Sequence, residues 1–431
     1  MAQSTLEILR ATIEANWQKQ VDWLQKLVRF PSLRGQETEC QDWLCSEFAA
    51  RDWGVDRYTL ADVNFEKVRG FAPLIGIDPA RSTQLVATIQ PHMCRGASTR
   101  GRSLILQGHV DVVPPGPADM WSDPPFSGIV RDGWLLGRGA QDMKMGISAL
   151  VFALDAIQSA GLTLTAPVYL QTVTEEESTG NGALSTLARG YKADACLIPE
   201  PTANTITRAQ TGAIWFKLRV RGNPVHVARA QEGGNAILAT FTLITALQAL
   251  TASFNNEAKG DPYFCRIADP IKFNVGVIRG GDWASSTPAW CETDCRIGLL
   301  PGRRPDDVRQ SILYCLDATT HTSGYAAAPP QIEWNGFHAD GAVLEPGSAA
   351  ELALAAAHQS VFQKPMVERL STAVNDTRYY ALHQHIPALC YGPSGKGMHG
   401  VNERANLTNL KQTTLVIAAF IADWCGGTAI N

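Results

Sequence analysis

Glu175, Glu176 and Glu177 stand side by side in "QTVTEEESTGNGA", after an apolar stretch and before a run of small residues. Three adjacent carboxylates repel one another, and no ordinary turn needs all three. Either the run is a solvated loop or something positive sits among them. Other residues capable of chemistry recur in the same kind of place. His109 and Asp111 lie two apart in "SLILQGHVDVV", and on a strand that spacing points both side chains one way. Asp142 falls in the glycine-flanked "GRGAQDMKMG", just before an apolar run. Glu200 follows the apolar "ACLIP", and His399 follows "ALCYGP" in "YGPSGKGMHGVNE". Taken singly, each has a plainer reading, such as an edge histidine held by an aspartate, or a helix N-cap at Asp142. A phosphate-cradling loop is a poorer fit, because the G-K-[ST] of that motif is missing. Taken together, five or six His, Asp and Glu residues converging on one sheet rim would repel strongly without cations. Two divalent ions about 3.5–4 Å apart would reconcile them. Imidazole and carboxylate without thiolate suit zinc, with cobalt or manganese as alternatives.

Such a rim needs strands whose ends lie together. "SLILQGHVDVV" (103–113) reads as a buried strand and "MGISALVFALDAIQSAG" (145–161) as a strongly apolar helix. "PVYLQTV" (167–173) is a second strand, "GALSTLARG" a short helix, and "ADACLIPE" (193–200) a third strand. This alternation predicts an α/β fold with a mostly parallel, helix-covered sheet, whose strand ends are where ligands bind. Near residue 210 the pattern changes. In "AIWFKLRVRG", Ile214, Phe216, Leu218 and Val220 fall on one face and Lys217, Arg219 and Arg221 on the other. A long helix, two strands ("IKFNVGVIRGG", "AWCETDCRIGLL") and a helix from "RPDDVRQSILYCL" follow. That β-α-β-β-α order describes a small α+β, ferredoxin-like domain. A helix near 348–362, a strand at "IPALCYGP" and a last helix "LTNLKQTTLVIAAFIADWC" return to α/β character. The expected organisation is a catalytic domain in two parts, 1–209 and 336–431, interrupted by an inserted domain at 210–335.

The 431 residues exceed what one core usually serves, and 45% apolar with 18% charged residues is a globular composition. A net charge of −4 with no Lys/Arg cluster argues against nucleic acid as a partner. The start "MAQSTLEILRATIEANW" has acidic residues and helical periodicity rather than a signal peptide's basic, apolar pattern. Ser4 and Glu7 fit a capping box opening that helix. No apolar stretch is expected to reach the roughly 18 residues of a membrane span. The ten cysteines, Cys94 among them, are scattered without a C-x-x-C pair, so neither a disulfide framework nor a thiolate zinc site is expected. These features point to a soluble, cytoplasmic protein.

The segments "GHVDVVPPGPADMWSDPPFSGIVRDGWLLGRGAQDMKMG", "EEESTGNGA", "IPEPT", "GNPVHVARAQEGGNAI" and "YGPSGKGMHGVNE" also occur in a familiar order. From "LQKLVRFPSLRGQE" to "HGVNERANL", the chain resembles the aminoacylase/acetylornithine deacetylase/succinyl-diaminopimelate desuccinylase/glutamate carboxypeptidase family of two-metal amidohydrolases. The resemblance implies His109 on one ion and His399 on the other, bridged by Asp142. Glu200 would complete the first ion's ligands and Glu177 the second's. Glu176 would be the general base, with Glu175 in place of the family's usual Asp. Asp111 would orient the His109 imidazole and fix its tautomer. His226 matches a histidine of the family's lid domain that reaches into the partner subunit's site and supports the oxyanion. Asn274 and Gly276 match the lid pattern. Arg378 occupies the place of an arginine used for the substrate's carboxylate, which a bidentate fork suits. The Asp142–Met143 peptide is expected to be cis. Two departures stand out: Met145-Gly146 replaces a Gly-Gly pair, and "AVNDTR" replaces "GGTDAR".

The implied reaction is hydrolysis of the amide of an N-acyl amino acid or a similar small N-acylated carboxylate. Two divalent ions would activate a water and polarise the carbonyl, and Glu176 would carry the proton to the leaving amine. A dipeptidase or glutamate-type carboxypeptidase using the same site is the alternative. An inactive metal-binding regulatory protein is less favoured, since neither Glu176 nor His226 is needed merely to hold metal. The inserted domain's strand edge would pair with a second copy, giving a homodimer in which His226 serves the other subunit. Glu176→Gln is expected to cut turnover by several powers of ten while metal content stays near wild type. Steady-state kinetics beside elemental analysis checks this. Metal lost from Glu176 variants but kept by Glu177 variants would move the register by one residue.

Overall fold

Leu104 to His109 are buried on both faces, which places their strand inside a sheet rather than at its edge. The structure, a computed structural model, describes residues 3–91, 101–323 and 328–429. The first part of the chain supplies strands β1 (Gly54–Thr59), β2 (Thr83–Ile89), β3 (Leu104–His109), β4 (Val168–Val173) and β5 (Ala195–Ile198). Its helices are α1 (Gln3–Arg29), α2 (Thr38–Ala49), α3 (Met145–Ser159) and α4 (Asn181–Ala188). The inserted part runs β6 (Gly212–Arg221), α5 (Ala236–Glu257), β7 (Phe273–Gly280), β8 (Trp290–Leu299), α6 (Pro305–Ser323) and β9 (Gln331–Glu333). The chain then returns with α7 (Ala349–Phe362), β10 (Ala388–Cys390) and α8 (Leu407–Trp424).

The central sheet has the order β1-β2-β4-β3-β5-β10. From β4 to β10 every pairing is parallel, whereas β1–β2 and β2–β4 are antiparallel. The sheet is therefore mixed, because two strands the sequence reading did not anticipate extend it on one side. α3 is buried nearly all round, as its run of Ile, Leu, Val, Phe and Ala requires. Leu150, Val151 and Leu154 share one core with Val416, Ile417 and Phe420 of α8 and with Leu24 and Leu27 of α1. Each such side chain, fully buried, contributes about 1.5–3 kcal/mol.

The inserted sheet is antiparallel, in the order β7-β8-β6-β9. Ile214, Phe216, Leu218 and Val220 face inward against Leu243 and Leu247 of α5 and Ile312 and Leu316 of α6. On the other face Lys217 approaches Asp294, and Arg219 pairs with Glu292 and Glu333. β6 is thus flanked on both sides, and the free edge belongs to β7. Ala213 and Ile214 also pair with His338 and Ala339, so this sheet reaches past the expected boundary at 335.

Two further expectations need correction. α1 begins at Gln3, so Ser4 lies within its first turn, and Glu7 accepts a bond from Gln3 Nε2 (3.5 Å) in place of a capping box. Ala236–Gly260 is long and apolar enough to cross a membrane by length and composition, with a mean hydropathy of 1.7 over its best window. Its Thr and Gln residues are too mildly polar to interrupt the apolar run, which is why the sequence reading passed over it. In the fold it is the core helix of the inserted domain, with 39% of that window buried. Nine cysteines are free thiols, and Cys94 lies outside the described residues.

Candidate active site

His109 ends β3, the glutamate run follows β4, and Glu200 follows β5. These strands are parallel neighbours, so their C-terminal ends share one rim. Asp142 and His399 arrive from loops. A small antiparallel sheet, Ile129–Arg131, Trp134–Leu136, Arg404–Asn406 and Gly395–Lys396, lays the loop carrying His399 against the loop carrying Asp142. The fastening is Glu403. Its carboxylate accepts the backbone N–H groups of Gly139 (3.0 Å), Gln141 (2.8 Å) and Asp142 (3.0 Å) and pairs with buried Arg138. Sequence reasoning missed this residue, although its signal was an acidic side chain closing the "MHGVNE" motif.

Asp142 stands at the centre of the cluster. Its Oδ1 lies 3.2 Å from His109 Nε2 and its Oδ2 lies 3.3 Å from His399 Nε2. His399 Nε2 is also 3.1 Å from Glu177 Oε1, and Glu176 Oε2 is 3.9 Å from His109 Nε2. Ligand atoms of His109, Asp142 and Glu177 all fall within 4.8 Å of one another. The Asp142–Met143 peptide is cis, as expected. His109 Nδ1 sits 2.9 Å from the Asp111 carbonyl oxygen. A carbonyl only accepts, so Nδ1 carries the proton and Nε2 presents its lone pair to the cluster. Asp111 therefore orients His109 through its backbone, with its Oδ1 further off at 3.5 Å. The Asp111 carboxylate has another task, accepting the Glu177 N–H (3.0 Å).

The glutamate run divides into three roles. Glu175 is buried and turns away from the cluster, held by both arms of the Arg34 guanidinium (2.6 and 2.8 Å). Arg34 was not singled out from sequence, where nothing linked it to a residue so distant along the chain. Glu176 and Glu177 face the histidines. Burial holds Glu176 well above the usual carboxylate range; His109 opposes this, and Asp376, Glu200 and Glu177 add to it. Burial likewise raises Glu177 and Glu200, with other carboxylates reinforcing the shift. Burial would also raise Asp142, but His109 and His399 outweigh it and hold that group low. Burial lowers the His399 pKa, yet Glu177 and Asp142 overcome it and push it up to about 11. His109 is raised in the same way against its own burial, by Asp111, Asp142 and Glu176.

This donor set fits two divalent cations. One carboxylate offers an oxygen to each of two imidazoles, and Glu200 Oε1 is buried among the described residues with no hydrogen-bond partner. His109 and Glu200 would hold one ion and His399 and Glu177 the other, with Asp142 shared.

The remaining expected residues lie elsewhere. Arg378 is 2% exposed, and its fork donates to Asn375 O (2.8 Å), Thr179 O (3.3 Å) and Tyr379 Oη (2.9 Å). The guanidinium expected for a substrate carboxylate is thus engaged within the chain. His226 is exposed in the inserted domain, its Nδ1 accepting the Ala228 N–H (3.2 Å). Asn274 and Gly276 are exposed on β7, with Gly276 at a bulge between Val275 and Val277.

The family model for peptidase family M20/M25/M40 matches residues 105–423, which span the whole cluster and the inserted domain. The chain belongs to this family. It is a metal-dependent hydrolase of amide bonds. Among relatives, it is 29% identical over 343 residues to the N-formyl-4-amino-5-aminomethyl-2-methylpyrimidine deformylase of Bacillus subtilis (strain 168), covering 75% of this chain and 79% of that one. Human carnosine dipeptidase 1 superposes with a TM-score of 0.77 at 17% identity, over 98% of this chain and 100% of that one. The dipeptidase Dug1p of Saccharomyces cerevisiae gives the same TM-score, 0.77, at 14% identity and 98% coverage of both chains. These two likenesses show that the M20 chain shares their catalytic-plus-lid fold.

The raised histidines make metal loading a proton exchange. Below their raised pKa values His109 and His399 hold protons in the metal-free chain, and cations must displace them. Metal affinity is therefore expected to rise with pH through the neutral range, with net proton release. Titration calorimetry of the metal-free chain in two buffers of different ionisation enthalpy checks this. Equal heats in both buffers would mean that the histidines are already neutral.

Proposed function

We propose that this chain removes the acyl group from a small N-acyl amino acid or a closely related N-acylated carboxylate, using a pair of zinc ions. The observation that carries the reading is Asp142, whose two oxygens face two different imidazole nitrogens while Glu176 stands beside the same cluster. When bound, two divalent ions supply Lewis acidity, acidifying a water and polarising the scissile carbonyl. The chain's own residues do the rest. Glu176 takes the attacking water's proton and hands it to the leaving amine. His109, with Nδ1 donating to the Asp111 carbonyl, keeps its Nε2 lone pair on the cluster. His226, whose Nδ1 accepts from Ala228, carries its proton on Nε2 and can donate it to an oxyanion after domain closure.

The Bacillus subtilis relative is named for removing a formyl group from a small aminomethyl compound, which is support for a short acyl group on a small amine. The observation favouring a second reading, dipeptide hydrolysis, is the fold shared end to end with two dipeptidases. Amine release from metal-reconstituted protein separates the two, using N-formyl and N-acetyl amino acids, N-acyl amines lacking a carboxylate, and dipeptides. N-acyl amino acids are expected to exceed dipeptides in kcat/KM by about tenfold or more, beyond what one missing apolar contact supplies. A preference for dipeptides would replace the first reading with the second.

The active form proposed is a homodimer through the inserted domain. Outward residues of α5 and the β7 edge support it, with Leu238 50%, Phe241 54%, Val277 41%, Ile278 44% and Trp283 75% exposed. A surface groove of about 540 Å³ lies among Val227, Ile237, Trp283 and Pro288, directly beside His226. A second copy related by a two-fold axis would cover the same patch on both subunits. Mixing a His226→Ala chain with a Glu176→Gln chain is expected to restore up to one working site in two. A mixture as inactive as either parent, after verified subunit exchange, would place His226 in its own subunit's site or out of the reaction.

A further inference from the structure

We propose that Arg34 is a positioning residue for the general base, acting on Glu176 through Glu175. The inference rests on the reading of Glu176 as that base. Its starting point is that Glu176 has little of its own to hold it. Among the described residues its carboxylate receives no hydrogen bond, and its nearest marked approach is 3.9 Å to His109 Nε2. Its direction must therefore come from the backbone on either side.

Both flanks are pinned. On the C-terminal side, Glu177 N–H donates to Asp111 Oδ2 (3.0 Å). On the N-terminal side, Glu175 has a φ of 67°, in the left-handed region that residues with a side chain seldom enter. Two sets of bonds hold it there. Its carbonyl accepts from Ser178 (3.3 Å), Thr179 (2.9 Å) and Gly180 (2.6 Å). Its carboxylate accepts from Arg34 Nε (2.6 Å) and Nη2 (2.8 Å) and from Thr179 Oγ1 (3.0 Å). A planar fork on a carboxylate fixes direction as well as distance, which a lysine ammonium would not.

Arg34 is itself anchored to the rim. Ser32 Oγ donates to the Val110 carbonyl (2.6 Å), Val112 N–H donates to Ser32 O (3.0 Å), and Leu33 bridges Val112. The segment after α1 thus lies along the continuation of β3 beyond His109. One short stretch, residues 109–112, therefore supplies a histidine of the cluster, holds Glu177 through Asp111, and seats the arginine that holds Glu175. The third arm of Arg34, Nη1, reaches the Ile75 carbonyl (3.1 Å), so no donor of the fork is left to wander. This explains the departure at 175: a glutamate is one methylene longer than the aspartate of the resembling pattern, and that length spans to Arg34.

The test uses the full-length, metal-loaded chain and the variants Arg34→Ala, Arg34→Lys, Glu175→Gln and Arg34→Ala/Glu175→Gln. Turnover, KM and metal content are measured for each. The three single variants are expected to lose about ten- to a hundredfold in kcat, the range for misplaced catalytic groups, with KM and metal content within about twofold. The double variant is expected to be no worse than the worse single. Guanidinium ion at low millimolar concentration should restore part of kcat to Arg34→Ala, whose site is partly open to solvent, and none to the double variant. A merely structural arginine would give no such selective rescue. Unchanged kcat in Arg34→Ala and Glu175→Gln, or a loss that tracks lost metal, would overturn the proposal. If Arg34→Ala fails to fold, Glu175→Gln alone decides by the same split of kcat against KM. Glu176→Gln run alongside separates the two levels: its full activity would remove the base assignment, whereas its inactivity beside an active Arg34→Ala would remove only the role of Arg34.

Discussion

Buried negative charge is the constraint on which the structure turns. Asp111, Asp142, Glu175, Glu176, Glu200, Asp376 and Glu403 are all buried in or beside one sheet rim. An ionised carboxylate out of water is tolerable only with a cation, a set of N–H donors or a proton. The fold meets that demand with a different partner for each group. Arg34 takes Glu175, Arg138 and three backbone amides take Glu403, and Gln107 with Arg378 attends Asp376. Asp142, Glu177 and Glu200 are left to imidazoles and one another, and these are the groups whose arrangement calls for divalent cations.

Seen in this way, the surroundings of the site are a sorting of charges. Arg34 and Arg138 sit under the residues that must not coordinate, and their fixed positive charge keeps those carboxylates ionised and out of reach. Asp376 shows the intermediate case. Burial pushes it up to about 6 despite Arg378 and Gln107, because His109 and Asp111 lie in the same field with opposite effects. Arg378 serves this inner network, which accounts for its engagement with backbone carbonyls rather than with open space.

Much of this was legible in the sequence because parallel strands make it so. An apolar run followed by His or Glu places that residue at a strand's C-terminal end, and neighbouring parallel strands bring such ends together. His109, Glu176, Glu177 and Glu200 could be gathered on one rim by that rule alone. Asp142 and His399 needed the resemblance, since loops carry no periodicity. Arg34, Glu403 and the two antiparallel strands β1 and β2 were not read. Their significance is set by partners 141 and 264 residues away for Arg34–Glu175 and Gly139–Glu403, and pairing over such distances leaves no local pattern. The inserted domain's element order was plain from its alternation, but which strand would be its edge depended on closure by β9 and by residues 338–339, which are too short to announce themselves.

Glu403 has a consequence in time as well as in space. It comes from the last stretch of the chain, yet it holds the backbone of Gly139, Gln141 and Asp142 near the beginning. During synthesis, the loop that aims the shared carboxylate stays unfastened while the inserted domain, with its own separate core, has every element it needs. α3 waits as well, because the α8 side chains that cover it are still inside the ribosome. An apolar helix and an incomplete acidic rim are therefore exposed together for as long as the intervening 250-odd residues take to emerge, about 10–50 s at ordinary elongation rates. The nascent catalytic half is the species with most to gain from a chaperone, and the finished cluster is a mark that the C-terminus has arrived.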